Sequence, residues 1–379
     1  MNELVQQAIE LRHELHRHPE PSHGESGTAE RILTWLRATQ PDDLLIGLGG
    51  HGIAAVYRGQ EDGPRVLIRS DMDALPIHEN TSLDYKSTRA GVSHKCGHDG
   101  HMAMLSALAS RLAGQRPARG EAVLLYQPAE ETGEGAAKVI DDPQFSRIDP
   151  DQAYALHNLP GFERGAIILR EGGFASASVG LRIDLHGATS HAAEPEHGTS
   201  PALAVAALIN ALSAAPQYHT SLGEAAKVTI IHTKLGEVAF GTSPGEAVVM
   251  ATLRAHRTET LQALQDQCAT LAANIAAAYG LQQEVEWVEP FPATVNHADT
   301  TAVVRNSASA LGLTLVEPKL PFPWSEDFGH FGERCPATLF GLGSGVEHPA
   351  LHHPDYDFPD DILVHGVNMF DQIIRKVLG

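Results

Sequence analysis

The chain has 379 residues, of which 42% are hydrophobic and 20% charged, a balance typical of a globular protein long enough for two domains. Its 27 basic and 47 acidic residues give a formal net charge of −20, which argues against nucleic acids or anionic membranes as partners because both need basic patches. We see no apolar run of membrane-spanning length and no signal-peptide pattern. The three cysteines, Cys96, Cys268 and Cys335, are too few and too widely spaced for a disulfide framework, so we expect a cytoplasmic protein.

The first part of the chain has the pattern of an α/β domain. Apolar periodicity predicts a helix over residues 2–18 and a second helix from Ser26 or Thr28 to about Leu36. Short apolar runs without alternation come next, and such runs are typical of strands buried on both faces of a parallel sheet. We expect these strands near residues 52–57, 65–70, 122–126, 154–156 and 338–341, and a buried helix over 101–112.

Side chains that bind metals or move protons follow the carboxyl ends of four of these runs. Open α/β sheets bind their ligands at that edge, so we expect the side chains to meet there. The densest stretch is Ser93–His101, which leads into the predicted buried helix. The candidates in chain order are Asp71, Asp73, His94, Cys96, His98, Asp99, His101, Glu130, Glu131, His157, His348, His352 and His353.

Residues 177–289 have a different pattern. Strict alternation from Val179 to Leu185 indicates a sheet with one solvated face, as antiparallel sheets often have. The following elements are a helix from Ser200-Pro201 to about Ala214, strands near 227–232 and 246–254, a helix from Thr258 to Gly280, and a strand near 283–288. This βαββαβ order predicts a ferredoxin-like domain, inserted into a discontinuous catalytic domain of residues 1–176 and 290–379.

The candidates suit a site for two divalent ions that share one water. Cys96 and His98 are two residues apart and can converge from one loop. Glu131 and His157 come from neighbouring strand ends, and His352 can complete the site from the C-terminal segment. Thiolate and imidazole suit Zn, Ni and Co, and the carboxylate also admits Mn. The sequence therefore predicts a binuclear site without selecting its metal.

Two adjacent glutamates could have different roles in that site, one as a metal ligand and one as a base. Glu130 and Glu131 point in different directions if the segment is extended, so one can bind metal while the other faces the water as general base. Asp71 and Asp73 can orient the ligands through hydrogen bonds. We expect His94 and His101 to support the site rather than bind metal.

Seven motifs stand in the order found in one family. They are Leu15-His16-Arg17-His18-Pro19-Glu20, Asp71-Met72-Asp73-Ala74-Leu75-Pro76, Cys96-Gly97-His98-Asp99, Gln127-Pro128-Ala129-Glu130-Glu131, His191-Ala192-Ala193, Ser325-Glu326-Asp327-Phe328 and Leu351-His352. With these motifs the chain resembles the M20 metallopeptidase clan over nearly its whole length. Within the clan it is most similar to the amidohydrolase branch, which holds hippurate hydrolase, bacterial N-acyl-amino-acid amidohydrolases and plant auxin-conjugate hydrolases.

The resemblance implies an exopeptidase-like catalytic domain, with a mixed sheet between helices, and an inserted domain that acts as a lid and forms a homodimer. It assigns two divalent ions, with Zn or Mn favoured over Ni or Co, to Cys96, His98, Glu131, His157 and His352, and makes Cys96 the bridging ligand. Glu130 would be the general base for the metal-activated water, and His191 would stabilise the oxyanion, often in the partner subunit's site. The reaction it implies is hydrolysis of N-acyl amino acids, such as acetyl or benzoyl derivatives, to a carboxylate and the free amino acid.

Some points stay open at this level. Relatives carry an Asn-Val-Ile-Pro-like segment on the lid, where this chain has Gly241-Thr242-Ser243-Pro244. His353 and His348 are alternatives to His352 as the last ligand. A dipeptidase of the same clan, a non-catalytic metal-binding relative and a thiol redox protein are the competing functions. The intact Glu130 argues against the second, and the absence of a resolving cysteine near Cys96 argues against the third.

Overall fold

A computed structural model describes residues 3–379 of the chain. The α-helices within this range are α1 (Glu3–Arg17), α2 (Ser26–Ala38), α3 (His98–Gly114), α4 (Gly135–Asp141), α5 (Ala202–His219), α6 (Thr258–Ala278), α7 (Ala298–Ala310), α8 (Gly329–Arg334) and α9 (Leu363–Leu378). The predicted start of the first helix, at residue 2, lies outside the described residues. Among the described helices none is both long and apolar enough to cross a membrane.

The strands range in length from two to eleven residues. They are β1 (Asp43–Leu48), β2 (Gly52–Arg58), β3 (Glu61–Asp71), β4 (Arg119–Gln127), β5 (Gln152–Pro160), β6 (Ile167–Ile168), β7 (Gly172–Ala175), β8 (Ala177–His186), β9 (Ser190–His191), β10 (Ala226–Leu235), β11 (Thr242–Ser243), β12 (Glu246–Ala255), β13 (Gln282–Phe291), β14 (Thr294–Asn296), β15 (Leu315–Val316) and β16 (Ala337–Gly345).

The chain forms two compact units. Unit 1 consists of Met1–Phe174, Thr294–Pro321 and Glu326–Gly379, and unit 2 of Ala175–Ala293 and Phe322–Ser325. That these units act as a catalytic domain and a lid with limits at 177 and 289 stays a prediction.

Unit 1 is built on an eight-stranded mixed sheet with the order β1-β2-β4-β3-β5-β16-β6-β15. Its four central strands, β4, β3, β5 and β16, are mutually parallel neighbours. Residues such as Val66, Leu67 and Ile68 on β3 are fully buried, because helices cover the sheet. The carboxyl ends of these four strands therefore lie side by side. Glu130, Glu131 and His352 follow such ends as predicted, whereas His157 lies within β5, which continues past the predicted end at residue 156 to Pro160.

Unit 2 contains a four-stranded antiparallel sheet with the order β10-β12-β8-β13. Along β8 and β12 buried and half-buried residues alternate, because α5 and α6 cover one face of the sheet. The βαββαβ connection and this strand order are the ferredoxin-like arrangement. The predicted fold class, a mixed α/β unit combined with a ferredoxin-like one, is confirmed.

Three of the differences from the predicted elements concern the strands and helices around the two main sheets. Strand β1 was not predicted, although Leu44, Leu45 and Ile46 are apolar; it forms the outer edge of the sheet, where Ile46 is about half exposed and the pairing with β2 shifts register at Gly47. Helix α3 begins at His98, three residues before the predicted start, because Gly97 adopts a left-handed conformation with φ of 90° that turns the loop directly into the helix. Helix α5 begins at Ala202 and continues through Pro216 to His219, past the predicted end near Ala214, although Pro216 cannot donate a helical hydrogen bond.

Candidate metal centre

The loop before α3 brings a thiol and an imidazole to the edge of the sheet. Cys96 and His98 are both buried, on either side of Gly97. The Cys96 Sγ lies 3.4 Å from Nε2 of His157, which comes from β5. Ligand atoms of Cys96, His98 and His157 all lie within 4.8 Å of one another, close enough to share an ion.

Glu131 connects this group to the C-terminal segment. Its Oε1 lies 3.7 Å from Nε2 of His98, and its Oε2 lies 3.7 Å from Nε2 of His352. Cys96, Glu131 and His352 form a second set of ligand atoms within 4.8 Å. The five predicted ligands therefore meet in unit 1 in two overlapping sets.

Glu130 borders the same cluster from another side. Its Oε2 lies 3.9 Å from Nε2 of His98, and its Oε1 accepts a long hydrogen bond of 3.4 Å from the Asp327 amide. The two adjacent glutamates thus approach the histidine with separate carboxylates, Glu131 on the His352 side and Glu130 on the Asp327 side.

The alternatives to His352 have other contacts. His353 is 55% exposed at its side chain, and its Nδ1 lies 3.8 Å from Asp355. His348 donates through its Nε2–H to the carbonyl oxygen of Asp357, 2.6 Å away. The amide of His352 donates to the carbonyl of Lys95, next to Cys96, which holds the C-terminal segment against the metal-binding loop.

The donor set fits a divalent cation. His98 Nε2 and Glu131 Oε1 are buried and have no hydrogen-bond partner among the described residues, and both belong to the ligand clusters. Buried polar atoms in proteins are nearly always satisfied, so two such atoms in one cluster point to a missing positive group. One thiol, three imidazoles and a carboxylate are ligands that bind Zn, Ni, Co or Mn.

The charges around His98 favour a cation at this place. Burial alone would lower the pKa of His98, but the carboxylates of Asp71, Asp73 and Glu131 raise it to about 10. Burial raises the pKa of the Cys96 thiol well above its usual range, and Glu131 and Glu130 add to this effect. A metal ion must displace both protons, so binding should release protons.

The two glutamates have different electrostatic surroundings. Burial raises the pKa of Glu131 to about 7, against the opposing effect of His98. Burial, together with Glu326, Glu131 and Asp327, raises the pKa of Glu130 well above its ordinary value. A carboxyl group with a raised pKa is a better proton acceptor when it is ionised.

Polar groups next to the ligand cluster contact its histidines. The Nδ1 of His98 lies 2.9 Å from the carbonyl oxygen of Asp73, which leaves Nε2 facing the cluster. The Nδ1 of His101 lies 2.6 Å from Asp71 Oδ1 and its Nε2 lies 2.5 Å from Asn158 Oδ1, so both ring nitrogens have partners outside the five predicted ligands, although the ring lies next to His98 and His157. His94 is also buried, and neither of its ring nitrogens has a partner among the described residues.

The sequence patterns did not predict a buried group of ion pairs around Arg69, close to Glu130. Arg69 is fully buried on β3 and forms ion pairs with Asp71, Glu326 and Asp327, at 2.8, 2.9 and 2.7 Å. The motif Ser325–Phe328 was the available signal, although nothing local in it indicates a buried arginine as partner. The remaining predicted residue, His191, lies on β9 of unit 2 and is exposed.

The chain belongs to the peptidase family M20/M25/M40, whose model matches residues 67–376. The predicted membership in the M20 clan is confirmed, and the protein is a metal-dependent hydrolase of this class.

Among individual relatives, an N-acetylcysteine deacetylase from Bacillus subtilis is 31% identical over 372 residues, which cover 98% of this chain and 96% of the relative. A second protein from the same organism, an N-acetyl-L-cysteine deacetylase, is 31% identical over 383 residues, with coverage of 100% and 90%. The crystal structure of a dinuclear metal-binding M20 peptidase from Bacillus subtilis has a TM-score of 0.83 and 28% identity, and covers 99% of this chain and 98% of its own.

Proposed function

We propose that the protein hydrolyses the amide bond of N-acyl amino acids, releasing a carboxylate and the free amino acid. The observation that carries the proposal is the pair of adjacent carboxylates, Glu130 and Glu131, at one cluster of thiol and imidazole ligands. An amide hydrolase needs both a ligand and a proton acceptor at the same place, whereas a metal-binding protein without activity needs only the ligand.

Cys96, His98, Glu131, His157 and His352 would hold two divalent ions, as the Bacillus subtilis M20 peptidase does by its description. When bound, such ions lower the pKa of a water between them and polarise the substrate carbonyl. Cys96 would be the ligand common to both ions, as the resemblance implies, since its thiol belongs both to the set with His98 and His157 and to the set with Glu131 and His352.

Glu130 accepts the proton of the attacking water and returns it to the leaving amine. Its carboxylate lies beside the cluster, and burial together with neighbouring acids raises its pKa, which favours this shuttle. The Asp327 amide, through its long bond to Oε1, leaves Oε2 directed at the cluster. Glu131, one residue further, serves as ligand.

His191 would stabilise the oxyanion, as the resemblance implies. We further propose that unit 2 forms a homodimer through β10. This strand is an edge of its sheet and exposes Ile231, while Val238 and Phe240 in the hairpin that follows are almost fully exposed. An edge strand with apolar side chains pairs readily with a second copy of itself around a two-fold axis.

The relatives narrow the substrate class. Two proteins 31% identical to this chain are described as N-acetylcysteine deacetylases, which supports a small acyl group on an amino acid. The free state of Cys96, Cys268 and Cys335 supports a reducing compartment such as the cytoplasm. Dipeptides are the second candidate, because the same site would hydrolyse their amide bond.

A substrate panel with several metals tests the proposal. The protein is stripped with a chelator, reloaded with Zn, Mn, Co or Ni, and assayed for amine release from acetyl and benzoyl amino acids and from dipeptides. We expect about two ions per subunit and chelator-sensitive release from acyl amino acids. Full metal occupancy without turnover of any acyl amino acid would contradict the function, and turnover of dipeptides alone would favour the second candidate.

A further inference from the structure

The residue before the proposed base has an unusual backbone. Ala129 has φ of 53°, a left-handed conformation that residues other than glycine rarely adopt. It is 1% exposed and lies directly before Glu130 and Glu131. Such conformations persist where the surroundings impose them, and they concentrate at functional sites. The surroundings of Ala129 should therefore show what holds it.

A carboxylate from a distant helix holds the Ala129 amide. The Oε1 of Glu25 accepts the N–H of Ala129 at 2.8 Å, across 104 positions of the chain. Glu25 stands at the N-cap of α2, where an acidic side chain usually accepts amides of its own helix, yet it makes no such bond. That task falls to Glu20, whose Oε2 accepts the amide of Thr28 at 2.6 Å. The side chain of Glu25 therefore bonds to the Ala129 turn and not to its own helix.

Burial of Glu25 is costly for the fold. Its side chain is inaccessible to solvent, and Oε2 has no hydrogen-bond partner among the described residues. Burying a carboxyl group with incomplete hydrogen bonding is unfavourable, and burial raises its pKa. An apolar side chain would fill the same space without this cost in stability, which indicates that the carboxyl group of Glu25 has a role beyond packing.

A second carboxylate holds the other end of the same turn. The Oδ2 of Asp73 accepts the amide of Glu131 at 3.1 Å. The amides on both sides of Glu130 are therefore bound by buried acids. Because the backbone direction at Ala129 sets the direction of the next side chains, a change at Ala129 would move both glutamates.

We infer that Glu25 is a positioning residue that keeps Ala129 left-handed, and so directs Glu130 toward the cluster and Glu131 toward His98 and His352. This inference rests on the proposed function, because the roles of the two glutamates come from there.

The test measures zinc affinity by competition with a chelating fluorescent indicator, on the full chain. Glu25→Met keeps the length of the side chain and removes the acceptor, and we expect zinc affinity to fall about 10–100-fold, as for residues that orient metal ligands. Glu25→Gln keeps an acceptor for the Ala129 amide and should stay near the wild-type affinity. Adding Ala129→Gly to Glu25→Met should recover part of the loss, because glycine adopts a left-handed conformation freely.

Glu20→Ala is the matched control, because it removes the carboxylate that caps the same helix end without touching the Ala129 turn. Its zinc affinity should equal that of the wild type. The inference is overturned if Glu25→Met binds zinc as the wild type does, if Glu25→Gln loses as much as Glu25→Met, or if Glu20→Ala shows the same loss. Should Glu25→Met not fold, the Glu25→Met/Ala129→Gly double variant and Glu25→Gln carry the comparison.

Turnover provides a second, separable measurement. With an accepted acyl amino acid, Glu25→Met at saturating zinc should lower kcat and leave KM near the wild-type value, since Glu130 acts on the reaction and does not hold the substrate. If the wild type hydrolyses no acyl amino acid, the proposed function fails, whereas the zinc-affinity difference between the Met and Gln variants still tests the positioning.

Discussion

The Sγ of Cys96 and Nε2 of His157 lie 3.4 Å apart, although 61 positions separate them in the chain. They meet because Cys96 stands just before α3, while His157 lies near the end of β5, a direct neighbour of β3 in the parallel part of the sheet. Both side chains are buried, and burial together with the nearby imidazole of His101 keeps the pKa of His157 well below its usual range. A neutral imidazole is the form of histidine that binds a metal ion, whereas the Cys96 thiol must lose its proton to bind one.

Single substitutions of Glu130 and Glu131 should distinguish the residue that acts as general base from the residue that binds metal. We expect Glu130→Gln to bind metal normally and to lose about 10²–10⁴ in kcat, because it removes the proton acceptor alone. Glu131→Gln should lose metal, measured by elemental analysis after gel filtration. Near-normal turnover of Glu130→Gln, or equal metal loss in both variants, would contradict the assignment.

A second pair of neighbours decides the last ligand. His352 Nε2 lies 3.7 Å from Glu131, whereas His353 faces Asp355. His352→Ala should therefore lower the metal content from about two ions to one and reduce activity by several orders of magnitude. His353→Ala is the control and should keep both ions. The opposite result would move the ligand to His353.

The buried histidine of α1 should make stability depend on pH. Burial alone would lower the pKa of His16, but Asp99 and Glu79, at 2.8 and 3.0 Å, raise it to about 9. Because the folded-state pKa is above the unfolded value near 6.5, the contribution of His16 is complete below pH 6.5 and is lost as the pH rises to about 9.

Urea unfolding of the metal-free protein at pH 6 and pH 9 measures this effect. The difference in free energy of unfolding between wild type and His16→Gln should shrink by about 1–3 kcal/mol over that interval. His18→Gln is the control, since His18 is more than a third exposed and should show no such change. A pH-independent difference for His16→Gln would mean that His16 is not charged in the fold.

If unit 2 forms the proposed homodimer through β10, charges on its apolar edge should separate the two copies. Ile231→Lys together with Phe240→Glu places charges on β10 and its hairpin, and should convert a dimer into a monomer in light scattering. Val295→Lys, at a similarly exposed apolar residue on β14 of unit 1, is the control and should leave the mass unchanged. A dimer that survives the double change would place the interface elsewhere.

Much of the fold followed from local patterns. The non-alternating runs at β3, β4, β5 and β16 predicted strands buried on both faces, and the alternation along β8 predicted a sheet with one covered face. These patterns are reliable because burial repeats along each element with the period of its backbone. Strand β1 was missed although it is mostly apolar, because Gly47 interrupts its short run and leaves no regular pattern of burial.

The sequence by itself determined the kinds of ligand and their place at or near strand ends, because residue type and strand pattern are local properties. Only the tertiary structure decided how those ends are arranged. It brings Glu131 and His352 together across 221 positions of the chain. It also places Arg69 in an ion pair with Asp327 and Glu25 in a hydrogen bond with Ala129. Such pairs depend on the order of the strands in the sheet and on which buried charges come into contact. Neither can be deduced from the residues that lie next to each other along the chain.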